Sequence, residues 1–272
     1  MSVLKEKTNP ERRSFLKTID LNSDMGESFG AYRIGMDEAV IQHITSANIA
    51  CGWHAGDPMV MDNTVKMAVK YGVGAGAHPG YPDLLGFGRR NMDCTMDEIR
   101  SYLVYQIGAL QAVCKANNTR LRHVKPHGAL YLTAVENEDV ARAVAEAIVS
   151  VDAGLMYVAL AGANGKLMQR IGQELGLKVV YEAFADRAYT PEGNLVSRKL
   201  PGAVIKDPQA VSERALRMAT EGTVIAIDGT VIPLEAETLC VHGDTPTAVD
   251  LVKTIRQTLE AHGVSLAPMK AS

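Results

Sequence analysis

The chain lacks most of the features that would mark a secreted, membrane-bound or nucleic-acid-binding protein. Only four of its 272 residues are cysteine (Cys51, Cys94, Cys114 and Cys240), and no two form a C-x-x-C pair. That scatter argues against a disulfide framework or a structural zinc knot and suits a reducing compartment. Charge of one sign is not in excess: 28 Lys and Arg against 31 Asp and Glu leave a formal charge of −3. No general electrostatic case for nucleic acid follows. Long hydrophobic runs are absent too. The longest, from Leu155 to Ala163, is about half of what a membrane span needs.

What is present reads as an ordinary soluble globular protein and not a disordered one, with 47% hydrophobic and 22% charged residues. The segment from Met1 to Lys17 carries five basic and two acidic residues and includes RRSFLK, which imitates a twin-arginine export signal. The polar TIDLNSDMGE follows it where an apolar region and a small-residue cleavage site would be needed. Residues 1–17 therefore read as a mobile basic tail, and residues 18–272 as a single domain of a cytoplasmic protein.

From Thr18 onward β-leaning runs alternate with helix-spaced stretches. The strands are expected at KTIDLN, TSANIAC, GVGAGAH, RLRHVK, LMYVALAG, KVVYEAF and ETLCVHG. Helices are expected over Pro58–Tyr71, Thr95–Asn117, Asn137–Val151, Asn164–Leu175, Pro208–Thr220 and Pro246–His262. Thr95 with Glu98 reads as a capping box, Asp57-Pro58 and Asp207-Pro208 as helix starts, and Gly72 and Gly176 as stops. Seven strand–helix units with no break in composition favour one closed α/β barrel of parallel strands. Asp228-Gly229, between two β-rich runs, predicts a two-residue hairpin inserted before the last strand. Before it, residues 190–204 read as a long surface loop.

Polar and ionisable residues gather at the C-terminal ends of the expected strands, the rim where parallel barrels place their active sites. Strand one ends in Asp20, Asn22, Asp24 and Glu27, and strand two runs into His54. Strand three reaches His78, strand four Lys125 and His127, strand six Glu182, Asp186 and Arg187, and strand seven His242. His43, His123 and His262 fall on helices or inside a strand and read as structural.

Several motif matches fail on context. DLNSDMGE lacks the glycine and the closing glutamate of a calcium loop. GESFG matches a nucleophile elbow around Ser28, but an acidic loop precedes it instead of a buried strand. GANGKL has neither the spacing nor the hydroxyl residue of a P-loop, and no H-E-x-x-H occurs. A mixed rim of His, Asp, Asn and Lys remains. It could activate water by general base catalysis or hold a divalent ion, and the residues alone leave both readings open.

The strings DLNSDMGE, ANIACGWHAGD, GAHPGYPDLLGFGRR, KPHGALY, EAFADRAY, LVSR and CVHGD closely resemble the LamB/YcsF family, from Ile19 to about His262. The resemblance implies a seven-stranded (β/α) barrel of the glycoside hydrolase/deacetylase type. It also implies a reaction, the ATP-dependent opening of 5-oxo-L-proline to L-glutamate with release of ADP and phosphate, carried out with two further 5-oxoprolinase subunits, B and C. Partner subunits would then handle ATP. In this chain His127 or His54 would serve as general base, Asp24 or Asp20 as its orienter, and Lys125 as the anion partner. Asn22, Glu27 and His78 would contact substrate, and Arg187 or Arg198 would clamp its carboxylate. Asp20, His54 and His242 are the candidate ligands of a divalent metal. Two alternatives stay open: a stand-alone metal-dependent amidohydrolase or deacetylase, and a non-catalytic substrate-binding subunit. Self-association of the chain is compatible with either.

Overall fold

A computed structural model describes residues 18–241 and 248–270. The tail expected over residues 1–17 lies outside the described residues. Seven parallel strands close into a barrel, each following its predecessor through a crossover. They are β1 (Thr18–Met25), β2 (Ser46–Ala50), β3 (Gly74–His78), β4 (Leu121–Val124), β5 (Met156–Leu160), β6 (Val179–Phe184) and β9 (Thr238–Cys240), which pairs with both β6 and β1. The antiparallel pair β7 (Thr223–Ile225) and β8 (Val231–Pro233) is the expected insertion before the last barrel strand. Its turn is longer than two residues. Ala226 and Thr230 still pair (N–O 2.8 Å), leaving three residues at the tip with Gly229 at φ +92°, the arrangement of a three-residue loop with a left-handed glycine. A short β10 (Ser265–Leu266) adds to the lower end of β1.

Helices α1 (Asp37–Val40), α2 (Pro58–Tyr71), α3 (Met96–Ala116), α4 (Gly128–Glu136), α5 (Glu138–Val151), α6 (Lys166–Glu174), α7 (Pro208–Glu221) and α8 (Ala248–Ala261) surround the strands. Their ends follow local chemistry. The Asp57 side chain accepts from the Met59 and Val60 amides with Pro58 in the first turn, and Gly72 closes α2 at φ +69°. Thr95 and Glu98 form the reciprocal capping box of α3, and Asp207 caps α7 ahead of Pro208. Each cap satisfies amides that the helix leaves unpaired. None of the described helices is long and apolar enough to cross a membrane.

The main apolar core lies between strands and helices, built from outward-facing residues such as Leu21, Ile49, Val124, Tyr157, Ala159 and Leu239. The inward face differs. Alternate residues of β1 (Asp20, Asn22 and Asp24) all face the bore, as the period of two requires. Asp20 bonds Thr45, Ser46 and Thr238 near the lower end. Asn22 bonds Thr238 and Asn48 one layer up, and Asn48 also reaches Asp24 and His123. Gly76 makes room for this column, since a Cβ there would fall 2.0 Å from His123 Nε2. The result is a buried hydrogen-bonded ladder whose top rung is the floor of the rim site.

Candidate active site

Two concavities stand at opposite ends of the barrel. The larger, about 860 Å³, is lined by Lys115, Arg120, Arg122 and Asp152 at the entry ends of the strands and contains none of the rim residues. The smaller, about 550 Å³, opens at the C-terminal rim. Its lining includes Asp24, Glu27, His78, Lys125, His127, Arg187 and Arg198. The ionisable rim residues gather there.

Lys125 occupies the centre of the floor. Its Nζ lies 2.9 Å from Asp24 Oδ1, 2.8 Å from Glu182 Oε1 and 3.2 Å from Cys240 Sγ. Burial opposes its charge, but Asp24, Cys240 and Glu182 outweigh that cost and hold the ammonium well above its ordinary range. The backbone aims it. Lys125 N donates to Ala77 O and His127 N to Pro79 O, so Lys125-Pro126-His127 runs extended beside the end of β3. Proline fixes φ and keeps the preceding residue out of the helical region. Gly128, at φ +54°, then turns the chain into α4.

Beside Lys125 stand three histidines. His78 Nδ1 lies 2.7 Å from the Lys125 carbonyl, and His127 Nε2 lies 2.7 Å from the Phe87 carbonyl. A carbonyl oxygen only accepts, so each of these nitrogens carries its proton. The remaining two, His78 Nε2 and His127 Nδ1, face each other at 2.9 Å. His54 stacks flat on His127, with centroids 3.7 Å apart and planes 3° apart, and neither of its nitrogens has a hydrogen-bond partner among the described residues. Burial, reinforced for His54 by His78 and for His127 by His54, pushes both imidazoles well below their usual range. Both are neutral near pH 7.

Glu27 joins this group. One ligand atom from each of Glu27, His54, His78 and His127 lies within 4.8 Å of the others, all buried. His54 Nε2 is 3.8 Å from Glu27 Oε1, and His78 Nε2 is 3.4 Å from Asp24 Oδ2. Two converging imidazole lone pairs, a carboxylate and a histidine with unused nitrogens form a donor set suited to a divalent ion. The backbone bonds at the far ring nitrogens are those that metal-bound histidines commonly make.

The rim residues read from sequence divide by depth. Asp24, Glu27, His78, Lys125, His127, Arg187 and Arg198 reach the cleft. Asp20 and Asn22 lie below its floor in the bore, where neighbouring side chains engage them. Burial outweighs those hydrogen bonds at Asp20 and raises its pKa to about 6. His54 lies behind His127, wholly enclosed. His242 falls outside the described residues, so the candidate ligand set rests on Glu27 and the three rim histidines. Arg187 donates to the carbonyls of Val196 and Ala203, which fastens the loop over residues 190–204 across the cleft. Arg198 and Lys199 of that loop line the mouth. Ser28 both donates to and accepts from the Ile34 backbone, the pin of a turn.

Two residues with no flag in the sequence complete the site. Phe87 holds a left-handed conformation, φ +54°, that places its carbonyl on His127 while its ring packs edge-on against His54 and His127. Arg89 follows it at the cleft wall. Both sit in a loop tied by the Asp83–Arg90 ion pair. The GFGRR string was the visible trace: Gly88, at φ +62°, lies so close that a Cβ would fall 2.7 Å from the His127 ring.

Comparison with known proteins agrees with this fold. The profile of the LamB/YcsF family matches residues 19–272. The A subunit of a 5-oxoprolinase from Pyrococcus horikoshii is 54% identical over 252 residues, 93% of this chain and 98% of the relative. The protein of the same name from Natranaerobius thermophilus is 56% identical over 251 residues, 92% and 96% of the two chains. Among solved structures, a lactam utilization protein from Thermus thermophilus superposes with a TM-score of 0.88 at 44% identity, covering 93% of this chain and all of that one.

Proposed function

The chain belongs to the LamB/YcsF family, and from that footing we propose that it is the ring-opening subunit of an ATP-dependent 5-oxoprolinase, converting 5-oxo-L-proline to L-glutamate. The observation that carries the proposal is the cleft in which a buried ammonium, Lys125, stands beside the neutral imidazole of His127 and the facing ring of His78. Amide hydrolysis needs both parts: a base for water and a positive charge for the oxygen that gains electron density.

A five-membered lactam is stabilised by amide resonance, so water alone attacks it slowly. Transfer of the γ-phosphoryl group of ATP to the lactam oxygen would weaken that resonance. The chain has no P-loop, which supports assigning this step to companion subunits B and C. Water then loses a proton to the imidazole pair and adds to the ring carbon, with Lys125 facing the oxygen. Collapse breaks the C–N bond as nitrogen takes up a proton, leaving the γ-carboxyl as its mixed anhydride with phosphate. A second water releases glutamate and phosphate. Arg198 and Arg89 line the cleft near its mouth and are the cations placed to receive the substrate carboxylate, while Arg187 fastens its loop.

Glu27, His78 and His127 are the residues that would hold a divalent ion, with His54 adjoining. When bound, such an ion would supply Lewis acidity and a more acidic water. The same cluster favours a second reading, a metal-dependent amidohydrolase acting without ATP. One assay separates the two: 5-oxoproline opening by this chain alone, then with subunits B and C, each with and without ATP. Turnover only in the full, ATP-supplied assembly supports the first reading. Robust ATP-independent opening by the isolated chain supports the second, and ATP hydrolysis by the isolated chain contradicts the division of labour.

A further inference from the structure

The larger concavity, at the entry ends of the strands, carries a charge pattern that the rim chemistry does not use. Four cations line it, Lys115, Arg120, Arg122 and Lys270, against one carboxylate, Asp152. Asp152 is turned to its own backbone, its Oδ1 accepting from Gly154 N at 2.8 Å. None of the four cations has an ion pair or a side-chain hydrogen bond among the described residues. On the outer helices, by contrast, Arg100, Arg142, Arg170, Arg217 and Arg256 each lie within 3.1 Å of a carboxylate oxygen. Lys115 stands in the last turn of α3, where the helix dipole favours a cation. Arg120, Arg122 and Lys270 have no such local reason. The backbone is built to present Arg122. Between β3 and β4 the register shifts, Ala75 facing Leu121 and Gly76 facing His123, so Arg122 is the extra residue of a bulge. Bulges at barrel ends re-aim a side chain. The Arg122 stem crosses Gly74, where an added Cβ would lie 3.2 Å from its Cδ and 3.6 Å from Pro268 Cβ. Pro268 belongs to the segment after β10, which the bond from Ala267 N to Ile19 O holds to the foot of β1 and which brings Met269 and Lys270 into the same wall. Leu121, Met156 and Met269, all buried, make the apolar part of the lining.

We propose that this concavity is a second binding site, for a small molecule bearing two or more phosphate groups. Guanidinium forks match phosphate oxygens two at a time. Four like charges gathered round one hollow repel each other until an anion joins them. The volume, about 860 Å³, is that of a small-ligand site. None of the rim residues belongs to the lining, so the site is separate from the cleft and does not depend on the ring-opening function above.

The test is a calorimetric titration of the full chain at low salt with two probes, pyrophosphate and adenosine 3′,5′-bisphosphate. Binding is expected, and added salt should weaken it. In the double variant Arg120→Met/Arg122→Met, which keeps an unbranched stem over Gly74 and removes both guanidinium groups, affinity should fall at least about tenfold, the cost of lost charge-assisted hydrogen bonds. Should that variant melt below the wild type, Lys115→Gln/Lys270→Gln, which alters only exposed side chains, takes its place with the same expectation. Tighter binding of the bisphosphate than of pyrophosphate would identify a phosphorylated organic ligand, and the reverse order a free oligophosphate; both support the site. Absence of binding by either probe at millimolar concentration would overturn the proposal. So would affinity that is unchanged in these variants and lost in Arg198→Met, which would place the anion in the rim cleft. The titration needs no turnover, so failure of the chain to take part in 5-oxoproline opening would count against the functional reading separately.

Discussion

His127 Nδ1 and His78 Nε2 face each other at 2.9 Å, and each ring commits its other nitrogen to a backbone carbonyl. Two lone pairs held at that distance repel unless a positive centre lies between them. A shared proton or a bound cation would resolve it.

His127→Ala should lower ring-opening turnover in the assembled enzyme by about 10²–10⁴-fold, the usual contribution of a general base. KM should change little, because the lost interaction belongs to the transition state. Steady-state kinetics with a folded variant decide it. Near-normal turnover would remove His127 from the mechanism.

Lys125→Met should behave differently. It strands the carboxylates of Asp24 and Glu182 in a buried site, and breaking a buried ion pair costs about 3–5 kcal/mol. Denaturant midpoints should fall accordingly, and the double variant Lys125→Met/Glu182→Gln should recover part of the stability while staying inactive. Equal midpoints for wild type and Lys125→Met would show that the cluster is far less tightly coupled than its distances indicate.

Ser28→Ala should keep turnover within roughly tenfold, since it removes one local hydrogen-bonding group at a turn. Covalent capture of Ser28 by a fluorophosphonate, with loss of turnover, would instead identify a nucleophile.

Stability should decline as pH falls from about 6.5 towards 4. Burial keeps His54, His127 and His123 neutral in the fold, the last with a pKa of about 3. Below about 6.5 the unfolded chain binds protons at all three that the native chain refuses. Asp20 and Asp37 work the other way: buried and raised to about 6, they take up protons on folding as the pH drops. His43, also held low by burial, adds to the histidine side, so the unfolded state binds the more protons and stability falls as the pH falls. Urea midpoints at pH 6.5 and 4.5 measure it, and a constant or rising midpoint would contradict the balance.

The order of elements and the helix ends were legible because caps and breakers act locally. The Thr95–Glu98 box, Asp57-Pro58 and Gly72 each stand where the chain actually turns. The rim was legible because strand ends collect polar residues. Depth was harder. The i, i+2, i+4 spacing of Asp20, Asn22 and Asp24 places them on one face of β1, and that spacing held the clue that Asp20 and Asn22 sit in lower layers than Asp24. That Arg187 also fastens its loop, through carbonyls 9 and 16 residues away, is not written in the local sequence. The left-handed Phe87 was invisible for a similar reason: packing against His54 and His127, not propensity, holds it there.

The hydrogen-bonded bore joins two properties that most enzymes keep apart. From Thr238 and Asp20 through Asn22 and Asn48 to Asp24 and Lys125, each side chain is held by the next. A substitution at the bottom of the barrel therefore leaves a partner unsatisfied one layer higher, and the disturbance arrives at the ammonium on the floor. Mutational drift in this protein should be confined to the outer helices and loops, where a change in packing is not also a change in the charge that faces the cleft.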